Sequence, residues 1–317
     1  MTAASPVELS VIVVSYNTRA LLARCLRSLA PASPQTAHEI IVVDNASRDG
    51  SAEMLVREFP RVTCITNTTN LGFARAVNQG IRASRGAFLA LVNSDAEASA
   101  GSLDALVAFL EDRPAVGAVG PQILLPDGRR SNSCFRFPNL IRPYLNFEVL
   151  RGVCGDYFSL AYPAASPVVV NGGAVDWLSG ACLVLRRKAL DQVGLLDERF
   201  FMYFEDTDLC RRLRRGGWVV WYLPEVRVVH QVGQSSGRDH ERLRLELRRS
   251  CLHYFRTHHP GPVAWAVRGL VAGGAVARLA LGRWPFRRSP AAPAGESATE
   301  RQIIRLALLG SGRKGRP

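Results

Sequence analysis

Lysine is almost missing from this chain: of 40 basic residues, set against 27 acidic ones in 317, nearly all are arginine. Paired cysteine motifs are missing too. The seven cysteines (Cys25, Cys64, Cys134, Cys154, Cys182, Cys210, Cys251) are scattered, odd in number and never spaced Cys-x-x-Cys. That spacing supports neither a zinc knuckle nor a disulfide framework, and a reducing cytoplasm is expected. Met1 to Leu9 carries Pro6 and Glu8 and has no basic start or apolar run, so export is not expected. The longest apolar stretch, Val263 to Gly282, is interrupted by Arg268 and Arg278. It falls short of the ~20 uncharged residues of a spanning helix, although it can lie in a membrane surface. Also absent are Gly-x-Gly-x-x-Gly after the first strand, Gly-x-x-x-x-Gly-Lys-Ser/Thr, His-Glu-x-x-His and Gly-x-Ser-x-Gly. Dinucleotide enzymes, P-loop ATPases, zinc proteases and serine hydrolases are thereby disfavoured.

What remains has ordinary globular composition, 47% hydrophobic and 21% charged, enough to bury one large core with an appended subdomain. The net charge of +13 implies anionic partners: nucleic acid, an anionic membrane surface or a phosphorylated small substrate. Charge alone does not choose among them.

The first hundred residues alternate short β-branched runs with helical patterns. Leu9 to Ser15, Glu39 to Val43, Val62 to Thr66 and Ala87 to Val92 read as strands, and Arg19 to Leu29, Ser51 to Phe59 and Ala74 to Ala83 as helices. Such alternation predicts an α/β fold with a parallel sheet flanked by helices. Ligands then sit at the carboxyl ends of the strands, which points to the loops beginning at Ser15, Asp44, Asn67 and Asn93. A helix over Leu103 to Leu110 and short strands around Val116 and Ile123 follow. Pro126 to Val168 is rich in Pro, Gly, Arg and aromatics without period and reads as a long loop region. Further on, a strand over Ala181 to Leu185, a helix over Asp206 to Arg215, strands over Trp218 to Tyr222 and Val226 to Val229 and a charged helix over Arg238 to His258 are expected. From Arg283 the chain reads as a poorly ordered basic tail.

Asp44 closes the second strand, so its carboxylate can accept from a nucleobase imide or a ribose hydroxyl; Ser47, Asp49 and Ser51 read as cap of the next helix. Asn93-Ser94-Asp95 closes the fourth strand. An acid there can hold a divalent cation against a diphosphate, because Mg²⁺ or Mn²⁺ needs only one or two carboxylates beside phosphate oxygens; the plain alternative is an Asx-type cap. Glu205-Asp206 follows Phe200, Phe201, Tyr203 and Phe204, whose apolar surroundings would raise a carboxylate's proton affinity and suit a general base. Asp208 is explained as an acid at a helix N-terminus. His230, alone after a strand, reads as structural by itself, as do His253, His258 and His259.

In order, Ser10 to Asn17, Val42 to Ser47, Asn70-Leu71-Gly72-Phe73-Ala74, Asn93-Ser94-Asp95 and Phe204 to Cys210 resemble the motifs of the inverting glycosyltransferases of family 2. The look is nearest that of bacterial rhamnosyltransferases that build surface polysaccharides. The resemblance covers residues 9 to 232 and implies a GT-A fold over 1–236, with a nucleotide-sugar-binding half (1–100) and an acceptor and catalytic half (101–236). A helical extension (237–285), candidate for membrane contact, and a flexible basic tail (286–317) would follow. By matching positions Ser15, Tyr16, Asn17, Asp44, Asn70, Gly72, Phe73, Asn93 and Ser94 would hold the donor, Asp95 and His230 the metal, and Asp206 would be the base beside Glu205. Asn93 stands where many relatives carry Asp, which leaves Asp95 as the main ligand. Trp177, in Asp176-Trp177-Leu178-Ser179-Gly180, can stack on an acceptor sugar or fill the core. The implied reaction takes a sugar, L-rhamnose from dTDP-L-rhamnose as first choice, to a lipid-linked saccharide or growing glycan at the inner face of the plasma membrane. A nucleotidyltransferase would show a Gly-rich, basic loop after the first strand, where Tyr16-Asn17-Thr18-Arg19 stands. A nucleic-acid binder lacks its recognition motifs, and strand-end acids oppose a phosphate track. A non-catalytic sugar-binding relative would not need an intact Asp206.

Overall fold

The computed structural model describes residues 7–140, 160–231, 240–282 and 294–309. β1 (Leu9–Ser15), α1 (Arg19–Ala32), β2 (His38–Asp44), α2 (Ser51–Glu58), β3 (Thr63–Thr66), α3 (Phe73–Ala83) and β4 (Phe88–Asn93) alternate as the sequence predicts. β1 pairs in parallel with β2, from Leu9↔His38 to Ser15↔Asp44, and with β4, up to Val14↔Asn93. Six of the seven residues of β1 are buried, as expected of a strand covered on both faces. This register brings Ser15, Asp44 and Asn93 to one sheet edge, where ligands bind in open α/β sheets.

After β5 (Ala96–Ala98) and α4 (Ser102–Glu111) come β6 (Val116–Leu124), β7 (Cys134–Phe135), the short helix α5 (Pro167–Asn171), β8 (Gly173–Ala174), β9 (Trp177–Leu178), β10 (Cys182–Arg186) and α6 (Arg187–Val193). α7 (Glu205–Arg215) and β11 (Val219–His230) close this unit. The main sheet runs β3-β2-β1-β4-β10-β6-β11-β5, with β8 beside β11, and β7 and β9 form a separate pair. It is mostly parallel but mixed, since β10 runs antiparallel to both β4 and β6.

Two pairs of expected strands are single strands. The 116 and 123 segments join in β6, and β11 runs through an irregularity between Leu223 and Arg227, around Pro224, which lacks the N–H a ladder needs. Within the long loop region the described residues add β7 and α5; residues 141–159 of it lie outside the described residues.

Of the described residues, 138–140, 202–204, 240–282 and 294–309 make a second compact unit. Its described helices are α8 (His240–His258), α9 (Gly261–Gly282) and α10 (Ala294–Leu309). Within the stretch read as a flexible tail (286–317), residues 294–309 are helical: Ile303, Leu306 and Ala307, three and four residues apart, are buried and make the apolar stripe of a packed helix, while 286–293 and 310–317 lie outside the described residues. Charge also crosses between the helices: Glu300 Oε1 accepts from Arg278 Nε at 2.8 Å and lies 2.8 Å from Arg244 Nη2. Ser250 Oγ donates to Met202 O at 2.8 Å, and Phe204 packs on Tyr254, ring centroids 5.3 Å apart. His258 and His259 lie against Tyr254 and Phe255, in line with a structural role. Despite Arg268 and Arg278, Gly261–Ala280 is long and apolar enough to cross a membrane, with mean hydropathy 1.3, contrary to the expectation from its charges.

Candidate active site

Asp44, at the end of β2, is buried. Its Oδ2 accepts from Ser47 N at 3.1 Å, while its buried Oδ1 has no hydrogen-bond partner. An unpaired buried acceptor is costly unless a ligand donates to it. Ser47, whose N–H Asp44 holds, lines a cavity of about 610 Å³ together with Tyr16, Asn17, Arg48, Asn67 and Asn70 among others. Sequence reasoning found Tyr16, Asn17 and Asn70 and the start of the Asn67 loop; it missed Ser47 and Arg48 as lining. Their signal is backbone geometry, which composition does not carry. Asn17 (φ 54°) and Ala46 (φ 71°) are left-handed, and Asn17 Oδ1 accepts from Arg48 N at 2.7 Å while Asn17 N donates to Ser47 Oγ at 2.9 Å. The cap position of α2 is Gly50 (φ 80°), not Ser47, Asp49 or Ser51; Asp49 instead accepts from Ser51 N at 3.1 Å and from Arg19 N at 2.7 Å and ties the first loop to this turn.

An amide network holds the far wall. Asn45 Nδ2 donates to Asn70 Oδ1 at 3.0 Å, Asn67 Nδ2 donates to Asn45 Oδ1 at 3.1 Å, and Asn70 Oδ1 also accepts from Gly72 N at 2.9 Å. Gly72 (φ 89°) and Phe73 turn away from the cavity: Phe73 N donates to Phe201 O at 2.7 Å, and a Cβ on Gly72 would lie 2.7 Å from that same oxygen. Their visible work is to fix this loop against Phe201.

A second group forms where β4 ends. Ser15 Oγ and Thr18 Oγ1 are 3.0 Å apart, and Thr18 Oγ1 donates to Ser94 Oγ at 3.0 Å, so buried hydroxyls tie the first loop to the Asn93-Ser94-Asp95 turn. β5 pairs antiparallel with β11 with Ala96 opposite His230, and Gln231 N donates to Asp95 O at 2.9 Å. This register sets His230 Nε2 2.9 Å from Asp95 Oδ1, with Asn93 Nδ2 3.4 Å from the same ring nitrogen. A histidine 135 residues away in sequence is thus brought to the acid it was matched with. Among the described residues no group of three or more His, Cys, Asp and Glu could enclose a metal. Imidazole nitrogen and carboxylate oxygen nevertheless suit Mn²⁺ or Mg²⁺ when diphosphate oxygens complete the shell, so the donor set fits a shared cation.

The third group lies at the N-terminus of α7. Asp206 Oδ1 accepts from Thr207 N at 2.7 Å and Oδ2 from Gly180 N at 3.1 Å, and the residue is half-buried. Burial raises its carboxyl above the ordinary range, although these N–H donors pull the other way. Glu205 is buried, its Oε2 has no hydrogen-bond partner, and burial first, then the neighbouring Asp206 charge, push its carboxyl well above the usual range. Asp208 is structural: its Oδ2 accepts from Arg212 Nε at 2.8 Å, and Arg212 also bonds the carbonyls of Val193, Gly194 and Leu195. The turn before β10 links the second and third groups, because Asn93 N donates to Ala181 O at 3.0 Å next to the Gly180 N–H that holds Asp206. Trp177 takes the core alternative: it is 4% exposed, stacks on Phe135 at 4.2 Å and donates through Nε1 to Arg136 O at 2.9 Å.

Residues 10–161 match the profile of Glycosyl transferase family 2, and residues 88–251 that of Glycosyl transferase family group 2. Over 291 residues the chain is 33% identical to the N-acetylglucosaminyl-diphospho-decaprenol L-rhamnosyltransferase of Mycobacterium tuberculosis, covering 83% of this chain and 90% of that protein. The mannosyltransferase PcManGT from Pyrobaculum calidifontis, solved with GDP-Man and Mn²⁺, aligns with a TM-score of 0.56 at 21% identity, over 98% of this chain and 89% of that one. GalNAc-T7, solved with UDP, GalNAc and Mn²⁺, aligns with a TM-score of 0.54 at 16% identity, over 71% of this chain and 43% of that one. Both share the expected GT-A arrangement of the sheet.

Proposed function

This chain belongs to glycosyl transferase family 2 and is a glycosyltransferase, and from that premise we propose that it moves L-rhamnose from dTDP-L-rhamnose to a hydroxyl of a lipid-linked saccharide. The sugar and acceptor class follow the name of the mycobacterial relative. The lipid-borne acceptor would place the protein at the inner face of the plasma membrane.

The observation that carries the mechanism is the Gly180 N–H bond to Asp206, one residue from the Ala181 carbonyl that bonds Asn93. It supports a base and a leaving-group site built on one sheet edge. In this reading the nucleoside occupies the cavity beside Tyr16, Asn17 and Asn70, and Asp44 Oδ1 accepts a proton donor of the base or ribose. Asp95 and His230 would hold a divalent cation, which supplies compensation for the charge that develops on the departing diphosphate. Asp206 takes the proton of the acceptor hydroxyl as that oxygen bonds to C1 and the bond from C1 to the phosphate oxygen breaks. One displacement inverts the anomeric centre, so a single base suffices where a retaining glycosidase needs an acid and a nucleophile. Asp206 gains reach from its partial exposure and basicity from its burial. Thr207 and Gly180 orient its carboxylate.

A panel of nucleotide sugars with Mg²⁺ or Mn²⁺, scored for nucleoside diphosphate release, tests the reading. Asp95→Ala should lose both activity and its response to added metal. An Asp95→Ala enzyme that still turned over and still responded to Mn²⁺ would remove Asp95 from the metal site.

A further inference from the structure

α9 buries one narrow stripe, Val267, Val271 and Ala275, each four residues on, against the other helices of its unit. Its remaining surface is nearly uncharged. Trp265 is 64% exposed and Val276 52%, with Leu270 exposed beside them and Ala266, Gly269, Gly273 and Ala277 between. The two arginines of the helix are turned to their own unit: Arg268 Nε donates to Ala307 O at 2.7 Å and Arg278 to Glu300 at 2.8 Å. Leu308 and Leu309, exposed at the end of α10, adjoin the carbonyls that hold Arg268. Among the described residues nothing packs on this contiguous apolar face, and such a face marks a surface that is covered in use.

At the N-terminal end of α9 the same face meets a cavity of about 260 Å³. Arg249, Arg256, Arg268, His253, His259 and Trp265 are among its lining residues, and among the described residues no Asp or Glu lines it. Arg268 lies over the Trp265 ring, 4.4 Å from its centroid, while Arg249 pairs through Nη1 with Glu246 Oε1 and keeps its buried Nε without a hydrogen-bond partner. A cavity lined by Arg256, Arg268, His253 and His259 and flanked by an exposed tryptophan and an apolar helix face has the chemistry of a headgroup layer: phosphate beside arginine, indole at the interface, aliphatic groups below.

We propose that the outer face of α9 docks on an anionic bilayer, with the cavity beside Trp265 taking the phosphate of a phospholipid headgroup. A second copy of the chain is the poorer occupant, because face-to-face pairing would bring Arg256 and Arg268 of both copies together across one face. Spanning is disfavoured by the buried stripe and by the ties of Arg268 and Arg278 to α10. Functionally the proposal rests on the reading of a lipid-borne acceptor, since docking would keep the enzyme on the surface where that acceptor resides.

Vesicle flotation of the full chain, with neither donor nor acceptor present, tests docking separately from catalysis. Wild type should float with phosphatidylcholine vesicles containing phosphatidylglycerol, stay behind with phosphatidylcholine alone, and be released by high salt. Arg256→Glu should weaken binding on the order of tenfold or more, and Trp265→Ser should weaken it as well, with donor turnover unchanged in both. Arg61→Glu, the same change in net charge on an exposed residue of the other unit, should leave binding near wild type. Equal losses for Arg61→Glu and Arg256→Glu would overturn the proposal in favour of bulk charge. Equal binding to neutral vesicles, resistance to high salt, or no vesicle binding together with an oligomer that Trp265→Ser dissociates would overturn it too. Loss of transferase activity on every donor would leave the flotation result standing.

Discussion

At the scale of single residues, adjacent carboxylates have been given different environments. Asp206 is half-buried with both oxygens accepting from N–H groups, whereas Glu205 is buried with an unpartnered oxygen. Because burial raises the Asp206 carboxyl, the acid limb of the rate profile should lie above the ordinary aspartate range, with activity rising as pH rises through it. Glu205 gives a stability prediction with a definite sign. A group whose folded-state pKa is raised contributes fully below its unfolded pKa, and that contribution is lost as pH rises through the folded value. Glu205→Gln has no such proton to lose. Its melting temperature should therefore gain on wild type from acid towards neutral pH, and a gap that does not change with pH contradicts this account of Glu205. The four aromatics before these acids made the direction of the shift legible in sequence, but nothing local revealed that Trp177 spends both ring faces inside the core.

At the scale of elements, the β1 to β4 half was legible because its signals are local: β-branched runs, helical spacing and polar strand ends. What stayed hidden depends on partners far away in sequence. The antiparallel insertion of β10 between β4 and β6 is set by long-range pairing, and it is this strand that carries the Gly180-Ala181 turn to both Asn93 and Asp206. His230 reached Asp95 only through the β5–β11 register, so without a family resemblance it read as a structural histidine. α10 was missed because the Arg-, Pro- and Gly-rich composition around it outweighed a short stripe of Ile303, Leu306 and Ala307. The Asn70 to Phe73 loop yields a prediction of its own. At Gly72 the backbone has φ 89° and a Cβ would sit 2.7 Å from Phe201 O, so Gly72→Ala should cost about 1–3 kcal/mol in urea unfolding. An unchanged midpoint and slope would show that the loop relaxes freely away from Phe201.

At the scale of the whole molecule, the +13 charge is shared between different tasks. Part of the arginine is structural: Arg212 closes on Asp208 and three carbonyls, and Arg278 and Arg244 meet at Glu300. Part lines two cavities, Arg48 at the nucleotide-sized one and Arg249, Arg256 and Arg268 at the one in the helical unit. On the readings proposed above, the first would meet the diphosphate of a donor and the second the phosphate of a lipid headgroup. The central claim, that Asp206 is the base of sugar transfer, is tested most directly by turnover of Asp206→Asn with dTDP-L-rhamnose, a lipid-linked acceptor and Mn²⁺, measured beside its calorimetric affinity for the donor. The account predicts a fall in turnover on the order of 10³-fold with donor affinity near that of wild type. Turnover close to wild type, or a loss of donor affinity that accounts for the whole fall, would contradict it.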